Sequence, residues 1–376
     1  MNSSQALEMR IARAKDRIAR AYRHEENLVP WLVIDAPYWL FGQEPDAIPD
    51  DYFTSVKSHF DHQAVQIRRH LELVPDDDYI PFLFPWYGTA VVPSALGSKV
   101  VFPQKADPMA EGAVVESPED IKKLRMPDPE RDGLMPRVLE CIRHMRRHSD
   151  LPVSFTDCQG PFNIALTLCG PERMFLWLHD EPRAVHELME FCTEVLIRWI
   201  KVQKAAAGHT LDGGAIALGI PQPDGFGVWI SDDDCVAISA DHYRRFVVPH
   251  NGRVLQEFGG GAIHFCGSAE HQIENLLDTP ALVSVNSCCM GNFRQIYRMQ
   301  EAFKGKILVM ACDYTPLRIE EYYAELFRGL ARRGVIVAAY PAPRIALSGR
   351  RYVECRRPAT ELSRTLREVL GRWCRS

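Results

Sequence analysis

The stretch ILVMACDYTPLRIEEYYAELFRGLARRGVIVAA, residues 307–339, decides how the rest of the chain is read. A short apolar run, Ile307–Cys312, leads into a helical stretch, Ile319–Arg333, and then into a second apolar run, Val335–Ala339. Short continuous apolar runs bounded by turn signals are what strands buried on both faces of a parallel sheet look like. Working outward, the same pattern recurs upstream. Further candidate strands are Val29–Asp35, Ile80–Phe84, Pro152–Asp157, Thr210–Ala217, Gly261–Cys266 and Leu282–Asn286. Helical stretches fall between most of them: Asp51–Leu73, Met135–His148, Glu181–Ala207, Ser239–Phe258, Glu270–Leu277 and Arg294–Phe303, with Ala359–Arg372 at the end. Glu181–Ala207 is the strongest. Pro182 sits in the first turn, where its missing N–H costs nothing. Val185, Leu188, Cys192, Val195 and Trp199 recur at helical spacing, and Gly208 supplies the stop. Ser239 reads as an N-cap.

Eight strands alternating with helices, in a chain that no Gly/Ser- or Pro-rich linker and no short repeat divides, predict an α/β fold. The expected architecture is a (β/α)8 TIM barrel, one domain over residues 1–376, with an N-terminal helical extension marked by Leu7, Ile11, Ile18 and Tyr22. The competitor is a doubly wound open sheet. It lacks support, because no Gly-x-Gly-x-x-Gly follows the first strand and no phosphate-binding loop motif occurs.

Composition limits the function classes. At 46% hydrophobic and 25% charged residues the chain is ordinary globular protein, which excludes disorder, collagen and coiled coil. A net charge of −5 is not a nucleic-acid binder's balance. Residues 1–28 show no apolar signal core, and Glu8, Asp16, Glu25 and Glu26 argue against a transit peptide. No run of about 18 apolar residues appears, so no membrane partner is expected. The expected location is cytoplasmic, where thiols stay reduced. Most of the eleven cysteines, Cys141, Cys169 and Cys192 among them, then read as small buried hydrophobes.

In a barrel, chemistry sits at the C-terminal ends of the strands. Those ends carry Asp35, Trp86–Tyr87, Asp157–Cys158, His264–Cys266, Asn286–Cys289 and Cys312–Tyr314. The sharpest is Ala262-Ile263-His264-Phe265-Cys266-Gly267. Residues i and i+2 of a strand project to one side, so His264 and Cys266 would offer an imidazole and a thiolate together. Zinc takes that N/S combination, and a catalytic zinc needs a third protein ligand and an open position. Cys312, ending a later strand, is the candidate third ligand; the bland alternative is a core cysteine beside a hydrogen-bonded histidine. Cys288 and Cys289 are adjacent, diverge on extended backbone, and read as one buried and one loop thiol. Within the run Asp232-Asp233-Asp234, Asp234 is the carboxylate that could face a pocket, against the reading of a solvated loop. Asp157 is either a cap for the next helix or a pocket base. Trp86, Tyr87 and Trp229 are pocket lining or rim packing.

Gly160-Pro161-Phe162-Asn163-Ile164-Ala165, then Cys169-Gly170-Pro171-Glu172, then Asp180-Glu181-Pro182 through Gly208, resemble the uroporphyrinogen decarboxylase superfamily. So do Ile238-Ser239 with Tyr243, Phe246 and Pro249, followed by Ile263–Gly267. The match runs in order from about residue 10 to 340. The resemblance implies a (β/α)8 barrel and one of two activities. The decarboxylating branch carries an Arg-Gln-Ala-Gly-Arg segment after the first strand; here the region reads Ile34-Asp35-Ala36-Pro37-Tyr38-Trp39, without the arginines a polyanionic tetrapyrrole needs. The other branch is cobalamin-dependent. Its members move methyl groups between small donors or thiols and a corrinoid held by a partner protein, and many bind zinc through His-x-Cys and a more distant Cys.

His264 and Cys266 match that pair. The last cysteine's place is taken by Ala338-Ala339-Tyr340-Pro341, which leaves Cys312 as a candidate replacement and Tyr340 as a space-filler. The resemblance thus implies a zinc-assisted methyltransferase with zinc and a corrinoid as cofactors. No Asp-x-His-x-x-Gly segment occurs, so a separate corrinoid-carrying protein would dock over the barrel mouth. Asp157 is then the catalytic acid, and Asp35, Trp86, Tyr87, Trp229, Asp234, Asn286 and Tyr340 are the candidate substrate contacts. Two alternatives stay open: a carboxy-lyase without metal, and a non-catalytic barrel that binds a ligand.

Overall fold

The computed structural model describes residues 3–36, 48–103, 106–216, 219–289, 291–314, 318–341, 345–347, 351–353 and 357–375. Pro37, Tyr38 and Trp39 therefore lie outside the described residues. Six parallel strands form one sheet: β1 (Trp31–Val33), β2 (Val228–Ser231), β3 (Gly261–Cys266), β4 (Leu282–Cys288), β5 (Leu308–Asp313) and β6 (Val335–Ala339). Their order across the sheet is β1-β6-β5-β4-β3-β2. Two extended segments close the sheet on itself. Residue 159 bridges in parallel to Ser231 of β2, and Leu83 bridges in parallel to Val153. The ring is thus a (β/α)8 barrel, as expected, with α1 (Ser3–Tyr22) preceding it.

The closing segments, 80–84 and 152–157, are held by side chains more than by strand ladders. Gln63, on α2 (Val56–Leu73), accepts from the Phe84 amide at 2.8 Å and donates to the Phe84 carbonyl at 2.5 Å. Gln203 accepts from the Thr156 amide at 2.8 Å. At β1 the carboxylates of Asp77 and Asp78 accept from the Val33 and Trp31 amides, each at 3.0 Å. Buried amides must find a partner somewhere, and here buried amide and carboxylate side chains supply it.

The sequence pattern succeeds where an apolar run is strand and nothing else. Gly261–Cys266 and Val335–Ala339 are strands with those bounds. In the long helix Pro182–Ala206, Val185, Leu188, Cys192, Val195 and Trp199 are all buried, as their spacing predicts. Thr210–Ala217 is the exception. Among the described residues of that run only Ala215–Ile216 is strand, paired antiparallel with Ile220–Pro221, and the barrel strand is β2 further on. The reason is glycine. Gly214 has φ +67° and lies against Phe155 and Trp229, where a Cβ would come within 2.7 Å of the Phe155 ring. Only a residue without a side chain can make that turn.

The expected helix Ser239–Phe258 is three pieces. Ser239 caps it as predicted, accepting from the His242 amide. A π-helical turn, Tyr243–Val247, follows, in which the Val248 amide donates to the Tyr243 carbonyl, and α-helix resumes over Val248–Glu257. Pro249, near the start of that last piece, has no N–H to continue the regular ladder.

Asp77 is the hub of a buried network. It accepts from Arg10 of α1 at 2.7 Å and lies 3.3 Å from His70 Nε2, while His70 Nδ1 meets Asp35. Burial opposes a charge on His70, yet Asp35 and Asp77 raise its pKa to about 10. Burial likewise opposes the Asp77 carboxylate, but His70 holds it below its ordinary 3.8. A raised histidine pKa contributes stability that is complete below about 6.5 and fades as pH climbs towards 10; a lowered carboxyl contributes above 3.8 and is lost in acid. The melting temperature is therefore expected to fall between pH 6.5 and 10. His70→Gln should flatten that alkaline limb, and Asp77→Ala should cost roughly 3–5 kcal/mol by stranding buried charge. Thermal melts across pH check both; an unchanged alkaline slope in His70→Gln would refute the assignment.

Candidate functional site

The pleat of β3 puts His264 and Cys266 on one face, two residues apart. His264 Nε2 lies 3.5 Å from Cys266 Sγ. The chain leaving β2 enters a short turn of 3₁₀ helix, Asp233–Ala237. There Asp233 Oδ1 accepts from the Cys266 amide at 2.7 Å and stands 3.7 Å from His264 Nε2. Ligand atoms of Asp233, His264 and Cys266 all lie within 4.8 Å of one another, and all three residues are partly accessible. Among the described residues this is the one such group of His, Cys and carboxylate side chains. Neither Cys312 nor Cys288 is among the three.

The register of neighbouring strands surrounds this group. β3 pairs with β4 so that His264 faces Asn286 and Cys266 faces Cys288; β4 pairs with β5 so that Cys288 faces Cys312. Asn286 is fully buried and ties these levels together. Its Oδ1 meets His264 Nδ1. Its Nδ2 donates to Cys312 Sγ at 3.1 Å and to the Met310 carbonyl at 3.3 Å. An Nδ1–H donated to Asn286 leaves Nε2 directed at Cys266 and Asp233. Tyr340, just past β6, is buried, lies 6.0 Å from the Tyr314 ring, and its hydroxyl interacts with Cys312.

The electrostatics favour a thiolate. Cys288 donating to Cys266 is the largest influence lowering the Cys266 thiol to about 6; burial opposes and His264 reinforces it. Burial works against a charge on His264, yet Cys266, Asp233 and Cys312 together hold its pKa well above ordinary. Burial also opposes the Cys312 thiolate, but Cys288, His264 and Tyr340 keep that thiol below its usual range.

The acidic run divides three ways. Asp232 is wholly buried, accepts from Tyr243 Oη at 2.5 Å and from Asn251 Nδ2 at 2.9 Å, and burial raises it to about 7. Asp233 faces the histidine. Asp234 is half-buried and raised to about 6 by burial and by Asp233. Asp157, ending the 152–157 segment, accepts from Ser231 at 2.8 Å and from Gln159 at 2.5 Å, and burial raises it to about 6.

The remaining sequence-predicted residues sit in packing or in other networks. Asp35 is engaged with His70. Trp86 donates from Nε1 to Asp107 at 2.8 Å. Tyr87 stacks on His59 at 5.2 Å. Trp229 is buried in β2 beside Gly214. Cys289 parts from Cys288, as an adjacent pair must, and donates to Asp313 at 3.4 Å. Sequence reasoning passed over Asp233 and discounted Cys288. The available signal for both was position: one lies two residues past a strand end, the other is the last residue of a strand.

The donor set fits a zinc ion. It offers nitrogen, sulfur and oxygen, and ligands at about 2.3 Å (S) and 2.0–2.1 Å (N) on a tetrahedral ion stand about 3.5 Å apart, which the His264–Cys266 separation matches.

The family described as Uroporphyrinogen decarboxylase (URO-D) matches residues 83–309. The chain is 27% identical over 191 residues to a methylated-thiol–coenzyme M methyltransferase of Methanosarcina mazei, covering 49% of this chain and 46% of that one. It is 31% identical over 178 residues to a uroporphyrinogen decarboxylase of Carboxydothermus hydrogenoformans, covering 44% and 45%. The matched part spans about half the length of these relatives. In solved structures, a methyltransferase from Methanosarcina mazei superposes with a TM-score of 0.67 at 15% identity, over 96% of this chain and 98% of that one, a likeness of fold.

The site makes a testable statement on its own. In metal-free protein, Cys266 is expected to be alkylated by iodoacetamide ahead of the buried thiols, with a rate that rises through about pH 6. His264→Ala should move that inflection upward. Peptide mass spectrometry over a pH series reads both, with exposed Cys374 as the internal reference.

Proposed function

The chain belongs to the uroporphyrinogen decarboxylase family, and from that premise we propose that it is a zinc-assisted methyltransferase. It moves a methyl group between a small-molecule donor or thiol acceptor and a corrinoid carried by a partner protein. The observation that carries this reading is the Asp233–His264–Cys266 group at the C-terminal ends of the barrel strands. A decarboxylase acting on a polyanion has no use for a soft, thiolate-containing donor set.

When bound, zinc supplies Lewis acidity to a heteroatom of the methyl donor or acceptor, and a thiol substrate becomes a thiolate at neutral pH. The other roles fall to the chain. His264, Cys266 and Asp233 hold the ion, and Asn286 fixes the His264 ring by taking Nδ1. Asp157, raised to about 6, holds a proton close to neutral pH, and with an ether-type donor it protonates the leaving oxygen. Tyr340 stands beside Cys312, and its ring and that of Tyr314 shape the space a donor can occupy. The corrinoid protein docks over the strand ends, where Cys266 is accessible.

His264→Ala and Cys266→Ala are each expected to abolish stoichiometric zinc and methyl transfer, with circular dichroism and melting temperature close to wild type. The measurements are elemental analysis and transfer assays with cob(I)alamin or a corrinoid protein against a panel of methylated thiols, ethers and amines. Turnover of uroporphyrinogen by metal-free protein, with no corrinoid present, would overturn the proposal in favour of a carboxy-lyase.

A further inference from the structure

One thiol at the barrel mouth has no role in that account. Cys288 is the last residue of β4, buried, and sits in register between Cys266 of β3 and Cys312 of β5. Residues paired in register on neighbouring strands face the same side of a sheet, so the three thiols form a row on the face that carries His264. The Cys288 thiol interacts with both of its neighbours. We propose that Cys288 is itself a metal ligand: its side chain turns to the ion held by His264 and Cys266 and supplies the second thiolate from β4, while Asp233 is the donor that a substrate heteroatom displaces. This rests on the metal reading given above.

Spacing selects Cys288 over Cys312. Two thiolates at about 2.3 Å on a tetrahedral ion are about 3.8 Å apart. Neighbouring strands are about 4.8 Å apart, so Cys288 is one strand from Cys266 while Cys312 is two strands, roughly 10 Å of backbone, away. Cys312 is also committed elsewhere. It accepts from Asn286 Nδ2 at 3.1 Å and donates to the Ser287 carbonyl at 3.5 Å. That bond to Asn286 makes Cys312 a positioning residue: it fixes the amide whose oxygen fixes His264. Coordination by Cys288 breaks its S–H bond, forms a metal–sulfur bond and releases the proton to solvent, with no change of oxidation state.

The deciding experiment counts sulfur around zinc. Zinc-edge X-ray absorption on the zinc-loaded wild-type chain is expected to give two sulfur ligands, and a count of one overturns the proposal without any variant. Cys288→Ser should lower the count to one and weaken zinc binding at least about tenfold, read by competition with a chelator of known affinity. Cys312→Ser should keep two. A count that falls in Cys312→Ser and holds in Cys288→Ser overturns the proposal and assigns the ligand to β5. A wild type that binds no stoichiometric zinc overturns both this inference and the metal reading, whereas zinc bound through one sulfur overturns this inference alone.

Discussion

A ring of strands has no free edge only if every strand's amides are answered, and in this barrel the answer on one side comes from side chains. Asp77 and Asp78 accept from β1, and Gln63 and Gln203 answer the two segments that complete the ring. Away from that side, β3, β4, β5 and β6 are each paired by backbone ladders to a strand on either flank. The division matters for the site. His264, Cys266, Asn286, Cys288 and Cys312 all lie on the ladder side, where continuous backbone pairing fixes strand positions residue by residue. The side-chain-held segments contribute Asp157, whose orientation in turn depends on Ser231 and Gln159. Buried carboxylates carry a desolvation cost that only full partnering offsets. Asp77 meets that condition with four groups: Arg10, His70 and the amides of Val33 and Tyr79.

The strand–helix alternation was legible in the sequence because most strands are apolar on both faces and most helices present one stripe. Reading failed where a segment is held by unusual means. β2 is a four-residue strand, Val228–Ser231, too short to stand out beside the longer run at 210–217. Helices Pro161–Cys169 and Pro171–Asp180 abut at Gly170, φ +81°, and appear in sequence as motif residues without a clear period. In the site, His264 and Cys266 were readable because their relation is within one strand. Asp233 and Cys288 were not, because theirs is across strands, and register is a property of pairing that no single segment encodes. The rule that adjacent cysteines diverge was correct for Cys288 and Cys289, but it cannot say which of the two faces the interior. The pairing with Cys266 decides it.

The concentration of acid near the histidine has a physical logic. Asp157, Asp232 and Asp234 are each pushed up by burial, into a range where each holds a proton for part of the time near neutral pH. Asp233 is the member of the group whose oxygen faces a cationic partner and a backbone amide. Within one cluster, then, Asp233 is placed by geometry against the histidine while burial makes the other three able to carry protons, which is how environment assigns different tasks to chemically identical side chains.

The π turn at Tyr243–Val247 fixes the rotational phase of the helix that follows. In an uninterrupted α-helix, residues eight apart are offset by about 80° around the axis, at about 100° per residue. A π turn absorbs one residue without advancing the rotation, so Tyr243 and Asn251 behave as if seven apart and come within about 20° of the same line. Both then reach Asp232. The turn works as a one-residue phase shifter: a related chain lacking that single residue would keep the helix and its apolar contacts upstream, yet swing one of the two donors away from the carboxylate. An alignment gap of one position here would mark a difference in how the acid beside the site is held.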